Sequence, residues 1–227
     1  MRLTTTGGVL VAAMIMASGC STVVQGAAVV PPGTDPTADV ALTEDGFGIQ
    51  LGKSFAPAQI TLYTEPQCQH CADLQFDVGN DIARYIEDGQ LVITYRFLTF
   101  LDSSPGGNSA KASNAVFLAA DPDADVSAAD VQSFIQEFFF ELIFTDPRDE
   151  APFADLAEVA ELPSEVVDRI AAGDTGVDVE VMDDVNQDQL EEIKPNDAGT
   201  PTVFDTTTEE VVDISEADWL EQLVESK

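Results

Sequence analysis

Two short apolar runs and one amphipathic stretch between them organise the chain. AQITLYT, residues 58–64, is β-branched and apolar enough for a buried strand, and LVITYRFLTF, residues 91–100, is a second run of the same kind. Between them, Cys71, Leu74, Phe76, Val78, Ile82, Tyr85 and Ile86 recur as one broad helical face that ends near Gly89. Gly79 lies inside that helix, where glycine weakens helical preference. A second amphipathic helix is SAADVQSFIQEFFFELIF, residues 127–144. Its Val131, Phe134, Ile135, Phe138, Phe139, Leu142 and Ile143 follow the i, i+3, i+4, i+7 rule and read as core. Phe140 and Phe144 fall off this stripe and are expected to extend the packing rather than to line a groove. Helical periodicity also recurs over residues 106–120, 151–161, 163–172 and 180–194, and no internal repeat is present.

The amino terminus has a different texture. Arg2 supplies a short positive region, Gly7 to Met16 an apolar stretch too short to span a bilayer, and Ala17-Ser18-Gly19 small residues before Cys20. Residues 1–19 therefore read as a signal peptide. The small residues before a cysteine resemble a bacterial lipoprotein cleavage box, although Ala17 stands where that family usually has Leu. This resemblance implies lipidation of Cys20 and a location outside the cytoplasm, anchored to the cell membrane; the competing reading is an ordinary cleaved signal. Residues 20–45, rich in Pro, Gly, Ala, Thr and acids, keep no sustained period and suit a flexible tether with a reach of about 25–30 Å.

Charge narrows the partners. There are 42 acidic residues against 9 basic ones, a formal net charge of −33, spread among apolar positions rather than massed in a disordered tail. Neutralising phosphates requires Lys and Arg, so nucleic acid and anionic lipid surfaces are poor partners.

Three cysteines and one histidine bound the chemistry. EPQCQHCADL, residues 65–74, holds Cys68, Cys71 and the only imidazole, His70. If Cys20 carries lipid, any disulfide inside the domain joins Cys68 to Cys71, and so small a loop is a weak structural staple. Structural zinc wants four ligands and no second C-x-x-C pair exists; Asp or Glu could complete such a site, which keeps zinc as an alternative. Hydrolases that place an imidazole beside a nucleophile are disfavoured, because the single imidazole is fixed next to Cys71 in sequence. No phosphate-cradling glycine motif occurs. Thiol redox chemistry remains in the lead. Cys68 falls where a helix begins, and the unpaired N–H groups and macrodipole there favour a thiolate. His70 is expected to stabilise that thiolate, and Cys71, one turn inside, to attack a mixed disulfide on Cys68.

APAQITLYTEPQCQHCADL resembles the active-site entry of the DsbA-like branch of the thioredoxin superfamily, and GTPTVFDTTTEEVVD, residues 199–213, resembles its cis-proline segment and last hairpin. The resemblance covers about residues 46–227. It implies an α/β thioredoxin-like fold, a central mixed sheet flanked by helices, with a helical subdomain inserted at about residues 102–195. It implies that Pro201 is the cis-proline and that Thr200 and Pro201, with Gln69, contact substrate backbone. The function implied is that of an extracytoplasmic thiol:disulfide oxidoreductase acting on secreted proteins, more in the oxidising than the reducing direction. It requires neither cofactor nor metal, and a membrane redox partner to restore its active form. Three departures leave the direction of electron flow open: Leu62 occupies the position where many relatives bury a carboxylate, Gln69-His70 replaces the Pro-His of strong oxidases, and Thr200 resembles some isomerase-like and reductase-like relatives more than the best oxidases. A reductase or isomerase using the same site, and a noncatalytic thioredoxin-like protein binding an envelope partner, are the rival readings.

Overall fold

The computed structural model describes residues 40–145 and 151–227. The expected signal peptide, Cys20 and most of the expected tether lie outside the described residues. Six strands form one sheet in the order β1-β2-β4-β3-β5-β6. They are β1 (Val40–Leu42), β2 (Ile49–Leu51), β3 (Ala58–Thr64), β4 (Leu91–Phe97), β5 (Thr202–Asp205) and β6 (Glu210–Val211). The sheet is mixed: β3 and β4 run parallel, with Ile60 beside Ile93 and Leu62 beside Tyr95, and the remaining pairs are antiparallel. Helix α1 (Gln69–Glu87) makes the crossover from β3 to β4. Helices α2 (Asn108–Ala119), α3 (Ala128–Leu142), α4 (Phe153–Val159), α5 (Ser164–Ala172) and α6 (Val179–Ile193) come after β4, and α7 (Trp219–Glu225) after β6.

The two expected central strands form for the expected reason. Ile60, Leu62, Leu91, Ile93, Tyr95 and Phe97 are all 2% exposed or less, so both sheet faces are covered at the centre. The second strand stops at Phe97 rather than at residue 100. Leu98 N–H makes the last bond to β3, to Thr64 O at 2.8 Å, and Thr99 N–H is then taken by the Asp183 carboxylate of α6 at 2.5 Å. Residues 40–45, expected in the tether, instead contain β1 and the turn after it, for Val40 to Leu42 pair with Leu51 to Ile49.

Helix α3 is set by its Ser127 cap, whose Oγ accepts Asp130 N–H at 3.1 Å, and by a stripe of side chains that are 4% exposed or less from Val131 to Leu142. Three phenylalanines depart from expectation. Phe76 is 70% exposed, Phe140 50% and Phe144 77%. At 100° per residue Phe76 stands about 140° around the helix from Cys71, outside the stripe that Leu74, Val78 and Ile82 bury. Gly79 does not break α1; it is a contact point, where a Cβ would come 2.5 Å from the Gln136 amide of α3. Below it a polar triad ties three elements together. The Tyr95 hydroxyl donates to Gln132 Oε1 at 2.6 Å and accepts from Gln75 at 3.2 Å, while Gln132 donates back to Gln75 at 2.9 Å. Each of these buried polar groups is thereby satisfied.

Candidate active site

Strand β3 ends at Thr64, and Glu65, Pro66 and Gln67 turn the chain into α1. Cys68 is the N-cap, with extended φ −75° and ψ 119°, and its carbonyl accepts from Cys71 N–H at 3.0 Å and Ala72 N–H at 3.1 Å. The first turn of α1 carries no acidic side chain, so no carboxylate on that turn opposes the backbone dipoles at the sulfur. Cys68 is half-buried and Cys71 is 1% exposed, and both are free thiols here. As a thiol, Cys68 Sγ donates to the carbonyl oxygen of Thr200 at 3.5 Å.

The two sulfurs differ sharply in acidity. A hydrogen bond from the Cys71 thiol, with further help from the Thr200 side chain and the backbone N–H groups of Cys71 and His70, outweighs partial burial and brings Cys68 down to about 5. Burial, and then the neighbouring Cys68 sulfur, push Cys71 far up. At neutral pH the outer sulfur is an anion and the inner one a thiol. The Thr200 hydroxyl is buried and has no hydrogen-bond partner among the described residues, which leaves it free to turn toward that sulfur.

Of the residues singled out in the sequence, the structure brings some to the sulfurs and leaves others exposed. The Thr200 carbonyl reaches the Cys68 sulfur from 132 residues away, and the bond from Thr200 to Pro201 is cis. His70 contributes its backbone N–H, and its imidazole is 83% exposed and lies 3.7 Å from the Asp73 carboxylate. Gln69 Nε2 donates to the other oxygen of Asp73 at 3.0 Å. A cleft of about 620 Å³ opens beside the pair, lined by His70, Leu74, Val78, Thr200, Pro201 and Trp219 among others.

Glu65 is a site residue that the sequence alone does not place. It is 0% exposed, its carboxylate accepts from Gln67 N–H at 2.7 Å and from the Ser109 hydroxyl of α2, and among the described residues no Lys, Arg or His pairs with it. Its carbonyl accepts Cys68 N–H at 3.0 Å, and its own N–H bonds to the Cys71 sulfur. Burial pushes the carboxyl up to about 7, against the pull of those two hydrogen bonds, and the charges of Asp102 and Cys68 add to the rise. Asp102 accepts from the N–H groups of Ser109 and Ala110 and from Gln67 Nε2, fixing the start of α2 against the turn. A lone acid in a turn carries no periodicity, so only the topology reveals this position.

Comparison with known proteins gives three kinds of likeness. The thioredoxin family profile matches residues 44–205. The structure of MdbA, a thiol-disulfide oxidoreductase from Corynebacterium matruchotii, superposes with a TM-score of 0.68 at 26% identity, covering 82% of this chain and 92% of that one. MdbA from Corynebacterium diphtheriae gives 0.68 at 24% identity over 82% and 94% of the two chains, and reduced DsbA from Mycobacterium tuberculosis gives 0.60 at 20% identity over 80% and 92%. These last two speak for the fold alone. The serine/threonine-protein kinase PknE of Mycobacterium tuberculosis is 26% identical over 184 residues, 78% of this chain. That match covers 31% of PknE, so the chain spans about a third of the length of the curated relatives it matches.

Proposed function

The chain belongs to the thioredoxin family, and on that premise we propose that it is a thiol:disulfide oxidoreductase that oxidises cysteine pairs of proteins outside the cytoplasm. The observation that carries this reading is the split between the two sulfurs. Cys68 is half-exposed, capped by N–H groups and held as an anion, whereas Cys71 is buried and held neutral. In the oxidised protein, a substrate thiolate attacks Cys68, the bond to Cys71 breaks, and Cys71 leaves and takes up a proton. The substrate's second thiolate then attacks the mixed disulfide; Cys68 leaves as a stabilised thiolate and the substrate keeps the disulfide. Because the leaving group is a good one, the reduced state is favoured and the pair is oxidising. Thr200 and Pro201 hold the substrate backbone beside the sulfurs, with Gln69 at the rim, and His70 serves through its N–H. Run in reverse, Cys71 resolves the mixed disulfide, and the same site reduces. Cys20 carries the lipid anchor, residues between it and Val40 form the tether, and a membrane redox partner reoxidises the pair.

The measurement that tests this is the equilibrium of the pair with glutathione, combined with Cys71→Ala. A potential near the oxidising end of the superfamily and a trapped mixed disulfide on Cys68 are expected. A potential as low as about −270 mV would reverse the direction to reduction. Retained envelope function in Cys68→Ala would replace catalysis with binding.

A further inference from the structure

A second groove opens on the other flank of α1. It measures about 630 Å³ and lies between α1 and α3, with Ala72, Phe76, Phe139, Phe140 and Phe144 along its walls. The exposed rings form a continuous surface: Phe76 and Phe140 have centroids 5.8 Å apart, and Phe140 and Phe144 6.1 Å apart. Three exposed phenylalanines in one row are costly to leave in water, and such patches mark interaction surfaces.

Its position ties it to the sulfurs. Cys68, Ala72, Phe76 and Asn80 succeed one another at intervals of four, so they form one ridge of α1, and the last three line the groove. His70, Leu74 and Val78 form a ridge on the opposite flank and line the cleft beside Thr200 and Pro201. Asp73 lies on the divide and lines both. A chain leaving the Cys68 sulfur can therefore run down either side. Charge selects which kind of chain takes the aromatic side. The groove's charged lining is Asp73 and Glu137, the cleft adds Asp77 and Glu216, and neither is lined by Lys or Arg. With a formal net charge of −33, a second copy of this chain and an anionic lipid surface are both repelled. A cationic chain with an apolar side chain is complementary to both features.

We propose that the phenylalanine groove between α1 and α3 is a second subsite for the substrate chain, taking an aliphatic or aromatic side chain of a segment that carries Lys or Arg beside its cysteine. This rests on the oxidoreductase reading above. Eight residues of helix separate Cys68 from Phe76, about 12 Å, which an extended peptide covers in about four residues.

The test uses the oxidised full chain and synthetic peptides with two cysteines flanked by Lys. Either Leu or Ser is placed four residues from the reactive cysteine, on each side in turn. The Leu peptide should be oxidised about tenfold faster than the Ser peptide on at least one side, the size of effect one apolar contact produces. Phe140→Ser and Phe76→Ser should bring that ratio to about one; as a ratio within one protein sample, it is immune to partial unfolding. Replacing the flanking Lys by Glu should slow the reaction, with the difference shrinking as salt is raised. Equal rates for the Leu and Ser peptides on both sides would overturn the subsite, and indifference to Lys or Glu would overturn its charge preference. Phe76-dependent dimerisation in sedimentation, or Phe76-dependent binding to phosphatidylcholine vesicles, would replace the peptide by a second copy or a lipid surface. If neither peptide nor glutathione is oxidised at all, the oxidoreductase reading itself fails.

Discussion

The β3–α1–β4 unit and the run of helices from α2 to α6 meet the cysteine pair in opposite ways. The first holds the sulfurs by the hydrogen bond between the two cysteines and, around it, by backbone: the N–H groups of Glu65, His70 and Cys71, the dipoles of α1, and a strand ladder buried on both faces. The second contributes side chains only, a hydroxyl from Ser109 beneath Glu65 and the phenyl rings of Phe140 and Phe144 beyond Ala72. Backbone groups are shared by any sequence that folds this way, whereas side chains are particular to this one. Thiol acidity should therefore track the first region, and stability of the surroundings and choice of substrate the second.

The largest expected effect separates packing from chemistry. Phe138 on α3 is 0% exposed and packs against the rings of Phe97, Phe134 and Phe139. Phe138→Ala should cost about 3–5 kcal/mol in denaturant unfolding. In molecules that remain folded, the pH dependence of Cys68 alkylation should keep its inflection near 5; an inflection that moves with this distant ring would break the division between the two regions.

Glu65 is where the two regions touch, and its variant comes next in size. The folded carboxyl is raised to about 7 from an ordinary 4.5, so the folded state binds the proton more tightly. The stability this confers is complete below pH 4.5 and is lost as pH rises through 7, a span of about 3 kcal/mol. Subtracting the Glu65→Gln curve from that of the unmodified reduced protein should leave a difference that falls across this window and is flat above it. A flat difference throughout would mean that the acid is not held by burial. The smallest effect belongs wholly to the helical region: Ser127→Ala removes the cap of α3 and should cost about 1 kcal/mol, with thiol acidity untouched.

The same contrast governs what is legible in the sequence. Strands β3 and β4 and helices α1 to α6 are long or strongly periodic, and their expected spans differ from the observed ones by a few residues at the ends. Strands β1 and β2 have three residues each, too few for alternation to register, which is why residues 40–42 resemble tether. Cys68 and Cys71 are visible because cysteine is scarce and the pair is closely spaced, Thr200 and Pro201 because residues 199–213 resemble the cis-proline segment of the DsbA-like branch. Glu65 is one acid among 42 acidic residues, and only the arrival of Ser109 from α2 distinguishes it. Phe76 joins the expected buried face because a wide stripe tolerates outliers; its angular position already points outward.

Strand β3 lies between β4 and β5, and β5 comes from near the far end of the chain. Because a polypeptide is made amino end first, one edge of β3 stays open until β5 is added. The Cys68 sulfur is thus made 132 residues ahead of the Thr200 carbonyl that accepts its hydrogen bond, and that side of it stays uncovered throughout the interval.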